Sequence, residues 1–137
     1  MLIPRERARS LDLYGLRVSD YGVIGEGSAS VAVVEVPPGG KGLWVRCSGC
    51  DSAYLVLAGR AQFDVDGVPY RARRGDLVVV PRGTVFRYAN WWGKATRMAV
   101  VHVPAYDLEG AEFLPDEIRT HDVHLRGERI VLRPMTE

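Results

Sequence analysis

The stretch GDLVVVPRGTVFRYAN, residues 75–90, decides the fold that the sequence predicts. Gly75-Asp76 can reverse the chain into the short apolar run Leu77 to Val80, and Pro81 with Gly83 can turn it out again. A buried strand held between two reversals is therefore predicted here. Strands of this kind close into a small barrel.

Apolar runs of similar length recur along the chain, and each one ends at turn residues. Asp66-Gly67 suits a tight hairpin, because both residues tolerate the backbone angles of its turn, so residues 61–73 are predicted to form one. About eight or nine short strands with no helical period between them predict an all-β antiparallel sandwich or barrel with little helix. Besides Leu77 to Val80, the runs are Ser30 to Val36, Tyr54 to Leu57, Ala61 to Val65, Tyr70 to Arg73 and Thr96 to Val103.

The two ends of the chain give weaker signals than its middle. A loose turn or short helix is predicted in the first ten residues, followed by a strand from Leu11 to Val18. Glu112 to Thr120 fits one turn of helix, and Glu128 to Arg133 alternates like an edge strand. We expect a single domain with an N-terminal arm at 1–28, a barrel core at 29–104 and a C-terminal extension at 105–137.

Composition excludes several classes of protein. The 18 Lys and Arg against 17 Asp and Glu leave a formal charge of +1, which offers no bulk attraction for nucleic acid or an anionic membrane. The 47% of hydrophobic residues suffice for a core in 137 residues. No run reaches the ~18 apolar residues of a membrane span, and the start Met1 to Arg5 is unlike a signal peptide, so the cytoplasm is the expected location.

The order of Gly75, Pro81, Gly83 and Asn90 resembles the second conserved motif of the cupin family. Gly39-Gly40 and the run from residue 54 to Gly59 are similar to the frame of the first cupin motif, and the resemblance spans residues 31–104. It implies a single-domain, conical jelly-roll barrel with a pocket at one mouth. It also implies frequent pairing as a homodimer.

The resemblance implies where a metal would be held in related proteins. Metal-binding cupins place two histidines and a glutamate in the first motif and a further histidine in the second. The frame puts Arg46, Ser48, Ser52 and Phe86 at those positions, and guanidinium, hydroxyl and phenyl groups do not hold a cation. A shift of one residue would bring Val45 and Cys47 to the paired histidine positions without rebuilding the site. No metal and no other cofactor is therefore expected.

Strand alternation selects the side chains that could line the pocket, since residues two apart share a face. An aromatic lining with a few polar groups suits a small organic ligand. The alternative is that the same side chains simply fill a tapering barrel. The predicted ligand-binding residues are Trp44, Arg46, Ser48, Ser52, Tyr54, Phe86, Tyr88, Met98 and His102.

His102 and Arg46 carry the most specific chemistry in that set. His102 could act as an acid or base beside Tyr54 or Tyr88, although a buried histidine more often satisfies one structural hydrogen bond. Arg46 could bind a carboxylate or phosphate through paired hydrogen bonds from its planar guanidinium group, or its side chain could extend to the barrel rim. Only the first orientation of Arg46 would favour an acidic ligand.

Other conspicuous residues have simpler interpretations. Cys47 and Cys50 have redox-motif spacing, but that motif normally opens a helix, and here it ends a strand. The pair Trp91-Trp92 follows a turn and suits an interface or packing more than a ligand. His121 and His124 stand in a segment typical of a solvated turn rather than a metal site.

The sequence favours a metal-independent, cupin-like protein that binds a small organic molecule, acidic ones included, in its barrel. One alternative is an enzyme similar to the cofactor-free sugar-nucleotide epimerases and ketoisomerases among the cupins, with His102 and a tyrosine moving protons. Another is a metal-dependent oxygenase or isomerase whose site is rebuilt from Cys47, Cys50 and His102. The sequence does not choose between a binding protein and an enzyme.

Overall fold

A computed structural model describes residues 1–13, 15–106 and 111–114 of the chain. In this part the chain forms one short 3₁₀ helix, Arg5–Arg7, and otherwise strands joined by turns. The strands are β1 (Arg9–Leu13), β2 (Leu16–Ile24), β3 (Ala29–Val36), β4 (Trp44–Cys47), β5 (Asp51–Ala58), β6 (Arg60–Val65), β7 (Val68–Arg73), β8 (Leu77–Val80), β9 (Val85–Ala89), β10 (Thr96–Val103) and β11 (Ala111–Leu114).

The strands build two antiparallel sheets. The six-stranded sheet has the order β1-β2-β3-β10-β5-β8, and the five-stranded sheet has the order β11-β4-β9-β6-β7. Neighbours in each sheet are often distant in sequence, so long-range pairing holds the barrel together in addition to the local hairpins. The predicted all-β, antiparallel architecture with little helix is confirmed.

The hairpin predicted over residues 61–73 forms between β6 and β7. Val65 pairs with Val68, so Asp66 and Gly67 are the two turn residues. Both have positive φ, +49° and +80°, which are the angles of the turn that matches the twist of the flanking strands. The dipeptide therefore sets the register of this edge of the sheet.

The core lies between the sheets and follows the alternation of the strands. Along β10, Thr96, Met98 and Val100 are buried while Arg97 is exposed. Phe63 and Met98 are completely buried, and each such side chain contributes about 1.5–3 kcal/mol relative to leaving it in water.

The N-terminal strand predicted from Leu11 to Val18 is wrong, because the chain turns back within it. Leu13 pairs with Leu16, and the backbone N–H of Gly15 donates to Asp12 Oδ1 at 2.9 Å. Gly15 takes a φ of +88°, which a residue with a Cβ rarely adopts. The single predicted strand is thus a hairpin of β1 and β2.

The helical turn predicted from Glu112 to Thr120 is wrong in its first part. Ala111–Leu114 is strand β11, which pairs with β4, and this pairing overrides the local helical preference. Residues 115–120, the predicted edge strand Glu128 to Arg133, and His121 and His124 lie outside the described residues.

The outer surface of the six-stranded sheet carries aliphatic residues in two rows across β3, β10, β5 and β8. One row joins Val33, Ala99, Leu55 and Leu77, and the next joins Val31, Val101, Ala53 and Val79. We call these eight residues the outer apolar face. Leu77 and Val79 are more than half exposed, at 57% and 58%. The part of the chain that the structure describes holds no helix long and apolar enough to span a bilayer.

Candidate ligand cavity

A cavity of about 420 Å³ lies between the two sheets. Its size falls within the range of about 300–1,000 Å³ that small-molecule sites occupy. Strands β1, β2, β3, β5 and β10 line one side, and β4 and β9 line the other. Most of the wall is aliphatic, with contributions from Leu11, Leu13, Leu16, Val18 and Val34. The cavity therefore offers apolar contact on most sides and polar groups at few points.

An aromatic cluster contributes Tyr54, Phe86 and Tyr88 to the wall, and Phe63 packs against it in the core. The Tyr54 ring lies 5.2, 5.8 and 5.4 Å, centroid to centroid, from the rings of Phe63, Phe86 and Tyr88. All three contacts are tilted, the arrangement that aromatic pairs prefer. Burial raises the pKa of the Tyr54 and Tyr88 hydroxyls above the usual tyrosine value, so both keep their protons and can donate hydrogen bonds.

A polar cluster lies on a neighbouring part of the wall. Ser52 Oγ and His102 Nδ1 are 2.9 Å apart, and Cys50 Sγ lies 3.7 Å from the same nitrogen. The Tyr106 ring packs against the imidazole with centroids 4.6 Å apart, and the Tyr106 backbone N–H donates to Ser30 Oγ at 2.8 Å. These contacts hold the His102 ring in one orientation.

Burial lowers the pKa of His102 to about 4, and the charge of Asp20 opposes this shift only in part. The imidazole is consequently neutral at pH 7. It can accept or donate a hydrogen bond, but its tendency to take up a proton is weak.

An ion pair lies at another edge of the cavity. Arg9 Nη2 and Asp20 Oδ2 are 3.1 Å apart, and Asp20 Oδ1 accepts the backbone N–H of Gly22 at 2.8 Å. The Arg9 side chain is 71% exposed, so the pair is screened by solvent and contributes little to stability. Its two charges largely balance each other in the cavity.

The structure brings Ser52, Tyr54, Phe86, Tyr88 and His102 together in the cavity wall. These are five members of the set that alternation predicted as ligand-binding residues. Met98 points the same way along β10 but is completely buried in the core and is not part of the wall.

The inward orientation predicted for Trp44, Arg46 and Ser48 is wrong. Val45 pairs directly with the inward-facing Phe86, and directly opposed side chains share a face of the sheet. Val45 and Cys47 therefore line the cavity, as the one-residue shift would place them. Trp44 instead packs against the guanidinium of Arg87, 4.5 Å from its ring centroid.

Arg46 does not line the cavity, so the prediction that it binds a carboxylate or phosphate there is not supported. Among the described residues that line the cavity, Arg9 is the arginine present, and it is already paired with Asp20. The expectation of an acidic ligand rested on Arg46 and is no longer supported.

Several lining residues escaped the sequence-based prediction. Leu11, Leu13, Leu16 and Val18 belong to the N-terminal hairpin, which the sequence indicated only as a single strand. Within each strand these apolar residues are two apart in sequence, and this alternation could have predicted that they share one inward-facing side. Tyr106 follows Pro104 and carries no pattern that would place it beside His102.

The interior positions do not suit the metal that cupins commonly bind. Val45, Cys47, Ser52 and Phe86 face the cavity in place of imidazole and carboxylate groups. In the described part of the chain, no group of three or more His, Cys, Asp or Glu side chains is arranged to hold a metal ion. The alternative site built from Cys47, Cys50 and His102 thus gains no support.

The second-motif residues support the backbone rather than the cavity. Asn90 is completely buried; its amide donates to the carbonyl oxygens of Val36 and Lys94, and its Oδ1 accepts the Trp92 backbone N–H. The Trp92 ring lies 5.0 Å from the Arg60 guanidinium, and Trp91 is 66% exposed. Neither tryptophan lines the cavity.

The family profile described as "Cupin domain" matches residues 32–102, which is more than half of the chain. The chain belongs to the cupin family, and the predicted antiparallel jelly-roll barrel is confirmed as its fold.

Solved structures share this fold. Pac13, described as a unique nucleoside dehydratase, has a TM-score of 0.73 at 21% identity, covering 83% of this chain and 90% of its own. A Streptomyces PAC13 variant with uridine gives the same TM-score at 20% identity, covering 83% and 89%. KdgF from Halomonas sp. has a TM-score of 0.68 at 17% identity, covering 78% and 96%. A search of curated proteins found none that matches.

Proposed function

We propose that this protein binds a small, uncharged organic molecule with a heterocyclic or aromatic ring and hydroxyl groups, in the cavity between its sheets, without a bound metal. The observation that carries the proposal is the pairing of an aromatic wall, centred on Tyr54, with a compact polar cluster at Ser52 and His102. Ring faces supply contact area, and the hydroxyls and imidazole fix orientation.

The charges of the described wall support an uncharged ligand over an acidic one. Arg9 and Asp20 balance each other, so this edge of the cavity carries no net positive charge that would attract a carboxylate. His102 is neutral at pH 7. A neutral molecule loses less hydration than an anion on entering an apolar cavity, so it binds there at lower cost.

Nucleosides have the chemistry that this wall fits, a planar heterocycle joined to a ring that carries hydroxyls. The fold neighbour described with uridine supports their use as first probes. Uridine, cytidine and adenosine are therefore titrated by calorimetry against metal-free protein, with benzoate as an anionic ring of similar breadth. Saturable binding of a nucleoside, with benzoate binding at least tenfold more weakly, is the expected result.

A matched pair of variants on one strand tests the location. Ala32 lines the cavity, whereas Val33 belongs to the outer apolar face of the same strand. Ala32→Phe fills the cavity and is expected to abolish binding, while Val33→Phe keeps it. Equal affinity in the two variants, or no binding of any probe to well-folded wild type, would refute the proposal.

The second candidate function is proton transfer on such a ligand. The observation in its favour is that a neutral imidazole and two protonated tyrosines face one cavity. Its weakness is that a base with a pKa of about 4 lies far below the value near 7 that general base catalysis favours. Binding is therefore the better supported function.

Solvent isotope exchange separates the two functions. The protein is incubated in deuterated water with uridine and with a keto-sugar nucleotide, and the carbon-bound positions are followed by mass spectrometry. Deuterium in either compound that disappears with His102→Gln would establish catalysis. Unlabelled compounds that are nevertheless bound would leave a binding protein.

A further inference from the structure

Two cysteine side chains meet at the wall of the cavity. Cys47 ends β4, and Cys50 stands one residue before β5, so the pair closes a four-residue connection between the two sheets. Their Sγ atoms lie 2.8 Å apart, and both side chains are buried. The two side chains are thiols, and a covalent bond of about 2.05 Å between them needs a movement of less than one ångström.

The connection between the cysteines is clamped at both ends by the turn at residues 81–83. The Gly83 backbone N–H donates to the Cys47 carbonyl oxygen at 2.8 Å. Asp51, next to Cys50, accepts the Arg82 backbone N–H at 2.8 Å and forms an ion pair with its guanidinium at 3.2 Å. These bonds hold the two thiols close together independently of any contact between the sulfurs.

The two thiols differ in their access to the cavity. Cys47, which is 6% exposed, is one of the lining residues, whereas Cys50 is 2% exposed and is not part of the wall. Cys50 Sγ is 3.7 Å from His102 Nδ1, so the neutral imidazole can accept a hydrogen bond from the thiol. A reagent in the cavity would therefore react with Cys47 first. Cys50 is then close enough to attack the Cys47 sulfur and displace the bound reagent.

We propose that Cys47 and Cys50 form a thiol–disulfide exchange site in the cavity wall, which a low-molecular-weight organic disulfide enters and oxidises. The Cys47 thiolate attacks one sulfur of the organic disulfide, forms a mixed disulfide and releases the first organic thiolate. The Cys50 sulfur then attacks Cys47 Sγ, gives its proton to the departing organic thiolate and releases it as the second thiol. In sum, two protein thiols become one disulfide, one organic disulfide becomes two thiols, and the cysteine protons go to those products.

The structure favours this modification over redox catalysis. Cys47 ends a strand, so the pair lacks the helix N-terminus that lowers the thiol pKa in redox enzymes. Hydrogen bonding to Cys47 and burial raise the pKa of Cys50, which keeps that thiol protonated until Cys47 has reacted. The oxidised pair would join the ends of β4 and β5 covalently and so change the wall beside Ser52.

Intact-mass spectrometry on the full chain tests the exchange, with bis(2-hydroxyethyl) disulfide as the probe. The chain contains two cysteines, so its thiols are counted without interference. Wild type is expected to lose two hydrogens and to become unreactive to iodoacetamide, without accumulating an adduct. Cys50→Ser should stop at one stable adduct on Cys47.

Two further variants test the order of attack and the route. Cys47→Ser should react at least tenfold more slowly than wild type, because Cys50 is not part of the wall. Ala32→Phe, which fills the cavity, should slow the oxidation of wild-type thiols by a similar factor while circular dichroism shows the native fold. The exchange needs access to the cavity but not the binding of a ring-bearing ligand, so its failure and that of the proposed function are separate results.

Three results would overturn the inference. One is a wild-type adduct that persists without closing to the disulfide. Another is equal reactivity of Cys47→Ser and wild type. The third is no reaction of native protein under conditions in which the urea-unfolded chain is oxidised completely.

Discussion

His102 shows how much the surroundings of one residue change its chemistry. The sequence suggests an imidazole with a pKa near the usual ~6.5 that could exchange protons near neutrality. The structure encloses it between Ser52, Cys50 and Tyr106, and burial lowers its pKa to about 4. The residue therefore acts as a neutral polar group over the physiological range of pH.

The lowered pKa of His102 predicts a pH dependence of stability. The unfolded chain binds a proton near pH 6.5 and the folded chain only near pH 4, so protonation favours unfolding. The contribution of His102 is complete above about pH 6.5 and is lost as the pH falls towards 4, by at most about 1.4 kcal/mol per pH unit. Urea unfolding of wild type and His102→Gln between pH 7 and 4.5 measures the difference.

A titration of His102 by NMR provides the control for that experiment. The pKa of Asp51 is lowered by its bonds to Arg82, so its contribution is lost only below the usual carboxyl range and does not overlap this window. A pH slope that is equal in wild type and His102→Gln, or a His102 titration near pH 6.5, would contradict the assignment.

Tyr54 is the central ring of the aromatic cluster, so truncating its side chain is expected to lower stability strongly. It contacts Phe63, Phe86 and Tyr88 and is 5% exposed. Tyr54→Ala is expected to cost about 3–5 kcal/mol, because truncating a buried aromatic leaves a cavity. Tyr54→Phe keeps the ring and should cost less than about 1.5 kcal/mol while weakening ligand binding. Chemical denaturation that ranks the two variants equally would contradict this account.

At the scale of elements, the tight hairpin of β6 and β7 depends on its turn dipeptide. Gly67→Ala places a Cβ at a φ of +80°, in open space, so only backbone strain opposes it. A destabilisation of about 1 kcal/mol is expected. Gly49→Ala is the matched control, since its Cβ also meets open space but without a positive φ. Urea unfolding should show the loss in the first variant and almost none in the second.

Strand bounds were predictable where turn residues delimit them on both sides. The runs Leu77 to Val80 and Thr96 to Val103 are strands β8 and β10 with the predicted ends, since Pro81 and Pro104 cannot extend the ladder. The hairpin over residues 61–73 was equally accessible, because its turn chemistry is local. The N-terminal hairpin was missed, since its reversal at Gly15 looked like a strand interior.

The register of β4 could not be read from the sequence for a physical reason. The strand spans four residues, and both of its faces carry at least one apolar side chain, so alternation allows either face to point inward. The pairing of Val45 with Phe86 resolves the choice, and that contact lies more than forty residues away in sequence. A register error of one residue therefore placed Trp44, Arg46 and Ser48 in the predicted site, where the structure has Val45 and Cys47.

At the scale of the whole molecule, the outer apolar face is the feature that the isolated barrel does not explain. Eight aliphatic residues form two rows over four strands, and Leu77 and Val79 on the edge strand are more than half exposed. An exposed apolar sheet face that reaches an edge strand promotes association. The homodimer implied by the cupin resemblance stays a prediction, and we expect this face to form its interface.

Sedimentation measurements test this prediction with one substitution. Leu77→Lys places a charge on the outer apolar face and is expected to shift the protein towards monomer, with at least a tenfold weaker dimer. Val68→Lys is the control, because Val68 is also exposed but belongs to the other sheet. A wild-type monomer at high concentration, or a dimer that Leu77→Lys leaves unchanged, would contradict it.

The fold class followed from the sequence at this scale, but the composition of the cavity did not. Turn residues and strand periods are local properties, whereas the cavity wall combines strands from both ends of the described chain. The contributions of the N-terminal leucines and of Tyr106 arise only from long-range packing. Local sequence patterns therefore predict the barrel fold but not the full set of residues that line its cavity.

The position of β1 gives the cavity an asymmetric enclosure. Among the described strands β1 is the outermost member of its sheet and pairs only with β2, and yet it supplies Leu11 and Leu13 to the wall. The Arg9–Asp20 ion pair joins the start of β1 to β2, and the Arg9 side chain is largely exposed to solvent. Movement of β1 away from β2 would therefore widen the cavity, and an occupant that contacts both leucines would stabilise the N-terminal strand against such movement.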